Sequence, residues 1–409
     1  MGVPVAALVT FEDGSKQRFD DVAVTSELSE RALVELLYDY TPDLVPCSPL
    51  AQDGLWRYRD LLPLEPGPVT YPLTVGGTPL VASPGLRQAS SCRHLWVKDE
   101  TRGPSGSNKD RATALVLEHA LRRGHQTVTC ASTGNVAVSL AVGAAAAGKQ
   151  AVIFVPADVD DSKLSVMLFC GATVVKVRAG YTAAFRLSRQ AARTFGWCDR
   201  NTGVNPLTVE AKKTVAFEIW EQLGRQVPDV VVAPVGDGPT LCGLAKGFRE
   251  LVACGVAERQ PRLIGVQAEG CQPVKRAWEA GAPRVEPVEP RTLADGIAVG
   301  DPVSGRLVLR DVRESGGGFV AVSDAELLEA VRTLATKGGL LAEPAGAAAY
   351  AGLLRALEDR LVSPDEQIVV LLTGTLLKTP RFLRPASVPV EVEADLSAIE
   401  RALAGRLAD

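Results

Sequence analysis

The sequence predicts an α/β protein built on mostly parallel β-sheet. From Thr78 onward, segments with strand character alternate with segments of helix character, as in a chain of β-α-β units. The strand segments, such as Val230–Pro234 and Ile368–Leu372, are apolar and rich in β-branched residues, without a polar residue at every second position. Such strands are buried on both faces, which is typical of parallel sheets covered by helices. With 409 residues, 46% of them hydrophobic, the chain can form two or three lobes around a large core.

The order of the elements follows from the apolar runs and from the glycine, proline and polar turns between them. Residues 1–70 form a lead-in with a predicted strand pair around Asp13–Gly14, a helix over Ser29–Leu37, and then loops. Strands are predicted at Leu95–Lys98, Thr127–Cys130, Ala151–Val155, Val174–Val177, Val230–Pro234, Leu263–Ala268, Gly318–Val322 and Ile368–Leu372. Helices are predicted at Asn108–Arg123, Ala137–Ala147, Ser162–Cys170, Thr182–Phe195, Val209–Leu223, from Pro239 onward, and at Asp324–Thr336.

The charge pattern argues against binding to nucleic acid or to a membrane. The net charge is −4, and acidic and basic residues are interspersed, so no basic face is expected. No apolar run reaches the roughly 18 residues that a membrane span needs. The N-terminus lacks a basic region followed by an apolar core, so we expect a cytoplasmic protein without a signal peptide.

The cysteines and histidines indicate that a cofactor carries the chemistry. The 8 cysteines are scattered without a CxxC pair, which favours free thiols over a metal site or disulfides, and no metal site is predicted. The chain contains 3 histidines, so a histidine-based mechanism has few candidates. A bound organic cofactor is therefore the better hypothesis.

A single lysine follows a turn of small residues in Ser105–Arg111 (SGSNKDR), just before an Ala- and Leu-rich helix. Small residues let another molecule approach closely, and the helix N-terminus favours an anion in front of it. A lysine placed in this way can hold an aldehyde cofactor as a Schiff base beside a substrate carboxylate. Lys109 is therefore the candidate catalytic residue.

A second candidate site lies in Cys130–Asn135, between a strand and an Ala-rich helix. The hydroxyl and N–H groups of Ser132, Thr133 and Gly134 at a helix start suit a carboxylate. An ordinary N-cap by serine or threonine explains the same residues equally well. Asn135 adds a side-chain amide that can hold a phenolic oxygen.

A third site is the glycine-rich turn that follows the buried strand Val230–Pro234 and precedes a helix. The backbone N–H groups of such a turn and the positive end of the helix can bind a phosphate. The turn is not a dinucleotide fingerprint, because Leu241 occupies the third glycine position, and it lacks the lysine of a P-loop. One phosphate monoester is the predicted ligand. Pro239 donates no hydrogen bond, but proline is favoured as the first residue of a helix. The predicted binding residues are Gly236, Asp237, Gly238, Pro239 and Thr240.

A fourth site is the end of the buried strand Ile368–Leu372, where Thr373, Gly374 and Thr375 follow. A neutral hydroxyl that faces a pyridine nitrogen leaves the nitrogen unprotonated, whereas an aspartate would hold it protonated and strengthen the electron sink. Ordinary turn residues at a strand end explain the same sequence equally well.

Together and in this order, the four motifs resemble those of pyridoxal-phosphate-dependent enzymes of fold type II, and within that group the chain is most similar to threonine synthases. The resemblance covers roughly residues 55–380. It also rests on Leu55–Tyr58, Leu61–Pro63, Val204–Pro206, Glu343–Ala345, Leu372–Gly374 and Lys378. Ala294–Val299, however, is more similar to the serine/threonine dehydratases, which are related enzymes.

The resemblance implies an α/β fold of two open, mostly parallel sheets flanked by helices, with an N-terminal extension. The implied organisation is an extension over residues 1–75, a large cofactor-binding domain of 76–121 and 204–380, a small mobile domain of 122–203, and a C-terminal tail of 381–409. Closure of the small domain would exclude water from the reaction. The tail is too short for a regulatory amino-acid-binding domain, and a homodimer with a small-molecule substrate is implied.

The resemblance also implies a role for each motif. Lys109 would form the Schiff base with pyridoxal 5'-phosphate and then move the proton on the α-carbon of an amino-acid substrate. Asn135 would hold the ring oxygen of the cofactor, the turn Gly236–Thr240 its phosphate, and Thr373 would face its ring nitrogen. The implied substrate-binding residues are Ser107, Ser132, Thr133, Gly134, Thr208 and Lys212.

Four positions depart from the threonine synthase pattern. Asn108 stands where these enzymes have a phenylalanine, and Asp237 and Thr240 stand where their phosphate turn carries asparagines. Thr208 replaces an arginine that binds the substrate phosphate. Lys212 lies one helical turn later on the same face, so it either contacts the substrate phosphate or is a solvated helix residue.

The sequence therefore leaves three functions open. The first is a threonine-synthase-like lyase that removes a γ-leaving group and adds water at the β-carbon. The second is β-elimination from serine or threonine, or β-replacement on an activated serine, in a specialised biosynthetic pathway. The third is a cofactor-free protein that keeps only the fold, which the intact Lys109 and phosphate turn disfavour.

Overall fold

The computed structural model describes residues 8–10, 15–18, 34–46, 54–157, 161–383, 385 and 388–404. Its strands are β1 (Leu8–Thr10), β2 (Lys16–Arg18), β3 (Glu35–Leu37), β4 (Leu80–Val81), β5 (His94–Asp99), β6 (Thr127–Ala131), β7 (Gln150–Pro156), β8 (Thr173–Val177), β9 (Cys198–Asp199), β10 (Val230–Pro234), β11 (Arg262–Ala268), β12 (Gly318–Val322) and β13 (Gln367–Leu372). Its α-helices are α1 (Pro84–Ser90), α2 (Lys109–Arg122), α3 (Asn135–Ala146), α4 (Asp161–Phe169), α5 (Gly180–Phe195), α6 (Leu207–Gln222), α7 (Pro239–Ala253), α8 (Pro273–Glu279), α9 (Gly305–Glu314), α10 (Asp324–Gly338), α11 (Pro344–Glu358) and α12 (Leu396–Leu403). The predicted α/β fold is confirmed.

The larger sheet is six-stranded, in the order β12-β11-β10-β13-β5-β4. All neighbouring pairs are parallel except β4 with β5, at one edge. Its strands β10 and β13 are almost entirely buried, as their unbroken apolar sequences predict. Because β10, β13 and β5 are neighbours, the loops that follow their carboxyl ends meet at one edge of the sheet. Those loops carry Lys109, Thr373 and the turn Gly236–Thr240, which is predicted to bind a phosphate and is called the phosphate turn below.

The smaller parallel sheet is four-stranded, in the order β8-β7-β6-β9. Its strands lie between residues 127 and 199, within the range predicted for the small domain. The carboxyl end of β6 leads through Ser132–Gly134 into α3, which begins at Asn135. The sheet therefore presents the second motif at its own carboxyl edge.

The N-terminal segment departs from the prediction at one element. β1 pairs with both β2 and β3 in an antiparallel three-stranded sheet, so the predicted strand pair around Asp13–Gly14 is confirmed for the described residues. The predicted helix over Ser29–Leu37 is wrong at its end, because Glu35–Leu37 form a strand; residues 29–33 lie outside the described residues. Pairing with β1, which is distant in the sequence, overrides the local helical pattern there.

A buried ionic network joins the N-terminal segment to α6 and α7. The Tyr38 hydroxyl donates to Glu210 at 2.7 Å. Lys213 contacts Glu210 at 2.6 Å and Glu250 at 2.8 Å, and Lys246 donates to the Leu36 carbonyl at 2.6 Å. Opposite charges are thus paired within the core, as buried charges require.

A second buried network joins α2 to α6 through Arg111. Its guanidinium contacts Glu100 at 2.6 Å and Glu218 at 2.6 Å, and Glu218 also contacts Lys98 at 2.7 Å. Burial alone would raise the pKa of Glu218, but the charges of Arg111 and Lys98 dominate and hold it far below its ordinary value. The carboxylate is therefore ionised, and two cations depend on it.

We expect Glu218→Gln to lower the free energy of unfolding by about 3–5 kcal/mol, because it leaves buried Lys98 without a carboxylate and Arg111 with one carboxylate fewer. Urea denaturation would measure the change. The matched control is Glu279→Gln, which breaks the surface pair with Lys275, where the Glu279 side chain is 58% exposed. The control should change stability by less than about 0.5 kcal/mol. Equal effects from both variants would contradict the role given to Glu218.

Candidate active site

Lys109 is the first residue of α2 and lies at the end of a tightly folded turn. The Asp110 carboxylate accepts hydrogen bonds from the Ser105 N–H at 2.9 Å and from the Ser105 hydroxyl at 2.5 Å. Gly106 has a φ of 71°, and a Cβ at this position would come within 2.6 Å of Thr375. The turn therefore requires glycine there, and it brings Lys109 against the strand end that carries Thr373.

The electrostatic surroundings keep the Lys109 amine easy to deprotonate. Burial lowers the pKa of Lys109 to about 8, and the positive charges of Arg200, Lys378 and Lys163 act in the same direction against Glu343. A lysine with a lowered pKa has more neutral amine at neutral pH and is a better nucleophile.

Asn108 connects three of the four predicted motifs. Its side-chain oxygen accepts a hydrogen bond from the Lys109 amine at 2.8 Å, and its side-chain nitrogen donates to the Thr240 hydroxyl at 3.0 Å. Its backbone N–H donates to the Thr373 carbonyl at 2.9 Å. The lysine, the phosphate turn and the Thr373 strand end are therefore adjacent. Asn108, one of the positions at which the chain departs from the threonine synthase pattern, thus holds these three motifs together.

The phosphate turn has the geometry of an anion site at the N-terminus of a helix. Gly238, at φ 107°, precedes Pro239, which begins α7. A Cβ at Gly238 would lie 2.5 Å from Val308, and one at Gly236 would lie 2.9 Å from the Gly296 carbonyl, so both positions require glycine. The first N–H groups of α7 have no partner within the helix and point out of its N-terminus.

Asp237 points one carboxylate oxygen away from the turn. Its Oδ1 accepts a hydrogen bond from the Val303 N–H at 2.8 Å. Burial raises the pKa of Asp237 to about 6, against the lowering effect of that hydrogen bond and of Lys212 and Lys109. With a pKa of about 6 the carboxylate is still mostly ionised at neutral pH, so it weakens the positive potential of this part of the cleft.

Asn135 reaches the same region from the smaller sheet. It follows Gly134, the N-cap of α3, and its side-chain nitrogen donates to the Glu343 carboxylate. Its side-chain oxygen is buried without a hydrogen-bond partner, and a Cβ on Gly374 would come within 3.0 Å of its nitrogen. Asn135 thus lies against the Thr373–Gly374 strand end with an unused acceptor. Ser132, Thr133 and Gly134 are half-buried beside it.

Lys163 links the two sheets across the cleft. It lies on α4, and its amine contacts Asp295 at 2.5 Å and Glu343 at 3.5 Å. Asp295 and Glu343 both belong to the part of the chain that forms the larger sheet. The segments that contain Asp295 and Glu343 carry part of the family resemblance, but neither residue had a predicted role, because an ion pair between distant segments leaves no local pattern.

Thr208 and Ser107 are buried, and their hydroxyls contact residues of their own segments. The Thr208 hydroxyl donates to the Asn205 carbonyl at 2.8 Å, in the first turn of α6. The Ser107 hydroxyl lies 3.5 Å from that of Ser105. Because Thr208 is fully buried, an arginine at this position would displace packed neighbours.

Lys212, one turn after Thr208, is also buried, with 2% of its surface exposed. The interpretation of Lys212 as a solvated helix residue is therefore wrong. Arg200, which had no predicted role, is fully buried nearby, and its guanidinium donates to the Lys109 carbonyl at 3.3 Å. An isolated arginine in a loop gives no signal in the sequence that it is buried.

The residues present fit pyridoxal phosphate. An amine with a lowered pKa is available for the aldehyde, a glycine turn at a helix N-terminus for the phosphate, and a buried, unpartnered Asn135 oxygen for a polar ring substituent. Asn108 holds the first two of these groups close together.

Residues 71–374 match the family described as "Pyridoxal-phosphate dependent enzyme". The chain belongs to this family. Curated threonine synthases match it over most of its length. That of Methanosarcina acetivorans is 36% identical over 404 residues, covering 98% of this chain and 99% of its own. That of Methanocaldococcus jannaschii is 36% identical, covering 95% and 97%.

Solved structures of pyridoxal-phosphate-dependent enzymes of fold type II share this architecture. A threonine deaminase from T.th. is 28% identical with a TM-score of 0.63, and the match covers 76% of this chain and 94% of that one. An L-serine ammonia-lyase from Rhizomucor miehei is 25% identical with a TM-score of 0.64, covering 75% and 96%. The chain is a threonine-synthase-like, pyridoxal-phosphate-dependent lyase of fold type II. Within the described residues, no helix combines the length and apolar character needed to cross a bilayer.

The lowered pKa of Lys109 predicts how cofactor capture by the cofactor-free enzyme depends on pH. The neutral amine is the reactive form, so the rate should rise with pH up to about 8 and level off above that value. Stopped-flow absorbance in the visible region would measure the rate, and the same pH series with pyridoxal phosphate and Nα-acetyl-lysine would correct for ionisation of the cofactor itself. A rate that keeps rising towards the ordinary lysine pKa of 10.5 would contradict the prediction.

Proposed function

We propose that the chain catalyses the reaction named by its curated relatives, the synthesis of threonine, from an amino acid with an anionic γ-leaving group such as homoserine phosphate. The observation that carries the proposal is the joining of Lys109, the phosphate turn and the Thr373 strand end through Asn108, in a chain 36% identical to a threonine synthase over 98% of its length. In this reaction the γ-group leaves and water adds at the β-carbon.

Each predicted site residue would have its own role in this reaction. Bound pyridoxal phosphate would supply the electron sink for negative charge that develops on the substrate. Lys109 would hold the cofactor and then move the proton on the substrate α-carbon, which the lowered pKa of Lys109 supports. The N–H groups of Gly236–Thr240 would hold the phosphate, Asn135 the ring oxygen and Thr373 the ring nitrogen. Ser107 and Ser132–Gly134 would hold the substrate carboxylate.

We propose that residues 122–203 form a small domain that closes on residues 76–121 and 204–380. The contacts of Lys163 with Asp295 and Glu343 support this division, because they join α4, beside the smaller sheet, to the part of the chain that forms the larger sheet. Glu343 in turn accepts a hydrogen bond from Asn135, so closure would be coupled to the position of a predicted cofactor ligand.

A second candidate function is β-elimination from serine or threonine, or β-replacement on an activated serine. Ala294–Val299, the segment that resembles dehydratases, contains Asp295, which pairs with Lys163. The similarity of the whole fold to a threonine deaminase favours the same alternative.

A panel of substrates separates these functions. Purified enzyme would be incubated with homoserine phosphate, threonine, serine and acylated serines, and phosphate, ammonia, keto acid and amino-acid products would be measured. We expect phosphate and threonine in equal amounts from homoserine phosphate. Borohydride should attach the cofactor to the peptide that contains Lys109, and Lys109→Ala should lose the visible absorbance band and nearly all turnover.

Two results would overturn the proposal. Ammonia and keto acid from threonine or serine, without phosphate release from homoserine phosphate, would establish the second function instead. Borohydride labelling at Lys163 or Lys213 would remove Lys109 from its assigned role, whatever the substrate.

We further propose that the enzyme is a cytoplasmic homodimer, as its resemblance to the family implies. Light scattering after size-exclusion chromatography should give twice the chain mass of 43.2 kDa. A mass of one chain would contradict the dimer.

A further inference from the structure

Nearly all buried cations in the described part of the chain are paired with a carboxylate. The paired ones are Lys98, Arg111, Lys163, Arg189, Lys213 and Lys246. Among the buried lysines and arginines of the described residues, Arg200 and Lys212 are the two that form no ion pair. Because an unpaired buried charge is costly, two such cations in one region call for a specific explanation.

Arg200 lies in the segment between β9 and α6, with none of its surface exposed. Its guanidinium donates to the Thr113 hydroxyl at 3.2 Å, the Thr202 hydroxyl at 2.9 Å and the Lys109 carbonyl at 3.3 Å. All three acceptors are neutral. Burial lowers the pKa of Arg200 to about 10, so the side chain still carries its charge at neutral pH.

Lys212 projects from α6 into the same region, and its side-chain amine has no hydrogen-bond partner among the described residues. Burial holds the pKa of Lys212 well below its ordinary value, and the positive charges of Lys109 and Arg200 act in the same direction. The groups that act in the opposite direction are Asp237 and Cys242. An anion bound beside this amine would stabilise its protonated form.

We propose that Arg200 and Lys212 form an anion site in the cleft beside Lys109, and that this site holds the anionic leaving group of the substrate. The inference rests on the proposed function. The Arg200 guanidinium donates three of its five N–H bonds to neutral acceptors, and the Lys212 amine has no partner among the described residues. Asp110, Asp199 and Asp237 act on these cations from a distance, but none forms an ion pair with either of them. The unused N–H bonds of the two side chains can together bind an oxyanion.

The assignment to the leaving group follows from the number of anions to be bound. The cofactor phosphate has the turn Gly236–Thr240 at the N-terminus of α7, and the substrate carboxylate has Ser132–Gly134 at the N-terminus of α3. The leaving group is the anion that remains. Asp237 lies near this site, and its carboxylate would reduce the affinity, although its Oδ1 is directed to the Val303 N–H.

Sulfate binding to the cofactor-loaded enzyme tests the site without turnover, because the cofactor already fills the phosphate turn. We expect Arg200→Gln and Lys212→Met each to weaken sulfate binding about tenfold or more, measured by calorimetry. Asp237→Asn should tighten it, because a like charge is removed. The surface control Lys176→Met should leave the affinity unchanged.

The neighbouring lysine on α6 provides a matched control for folding. Lys213 is as buried as Lys212 but contacts Glu210 and Glu250. Lys213→Met should therefore lower the melting temperature and leave sulfate affinity unchanged. Lys212→Met should keep or raise the melting temperature while it loses sulfate binding, since it removes a buried polar amine that has no partner. Opposite effects of two adjacent lysines separate a binding role from a structural one.

Sulfate binding should also be linked to proton uptake. Because an anion favours the ammonium form of Lys212, affinity should rise as pH falls, and the binding heat should vary with the ionisation enthalpy of the buffer. Both effects should disappear in Lys212→Met. The other titratable groups that face Lys212 are Lys109, Asp237 and Cys242. The Asp237→Asn variant shows how much of the proton uptake comes from Asp237.

Three outcomes of these experiments distinguish this inference from the proposed function. If wild type converts homoserine phosphate and both variants keep its Michaelis constant, the anion site is wrong and the function stands. If wild type does not convert it but sulfate binding depends on Arg200 and Lys212, the site stands and the substrate carries another anion. If both variants instead lose the cofactor on dialysis and wild-type holoenzyme binds no sulfate, the two cations serve the cofactor phosphate and the proposal is overturned.

Discussion

The ion pairs of Arg111 are the constraint on which the site depends. Arg111 lies two residues after Lys109 on α2, and it contacts Glu218 on α6, the helix that carries Lys212. The same guanidinium contacts Glu100, which directly follows β5 of the larger sheet. One side chain therefore fixes the lysine-bearing helix to the sheet and to α6 at once. These contacts are between fully buried groups, so a small displacement would separate charges in a medium that screens them poorly.

Helix α6 carries two adjacent buried lysines, of which one is paired with carboxylates and the other is not. Lys213 is surrounded by Glu210, Glu250 and the ring of Tyr38, whose centroid lies 4.1 Å from the ammonium. Lys212, the next residue, faces the cleft without a partner. Adjacent residues on a helix point in directions about 100° apart, so one helix can support a structural network and an open charge together. The N-terminal segment thus contributes to the site indirectly, because Tyr38 and the Leu36 carbonyl complete the network that fixes the Lys213 face of α6.

The sequence predicted the parts of this architecture that depend on local pattern. The strands β5 to β8 and β10 to β13 and the helix that begins at Lys109 follow from apolar runs and turn residues, and they were placed within one or two residues. The predicted helix over Ser29–Leu37 failed at Glu35–Leu37 because β3 exists through pairing with β1, which no local pattern encodes. The general behaviour of lysines left open whether Lys212 is solvated, and no sequence pattern indicated that Arg200 is buried, since burial of a charge is decided by helix packing and distant segments. Asn108 was noted as a departure, but its bonds to Thr240 and Thr373 require the parallel order of β10, β13 and β5.

The distribution of charge in the cleft connects stability to function. The ion pairs of Lys163, Lys213, Lys246 and Arg111 stabilise the fold with the protein's own carboxylates, whereas Arg200 and Lys212 are left without one. Such an arrangement costs folding free energy, and a fold selected for stability alone would replace or pair these cations. Since anything that binds the native state stabilises it by mass action, the cost falls when an anion occupies the cleft. The cleft is therefore least stable when it is empty, and the free energy recovered on filling it contributes to the binding of an anionic ligand.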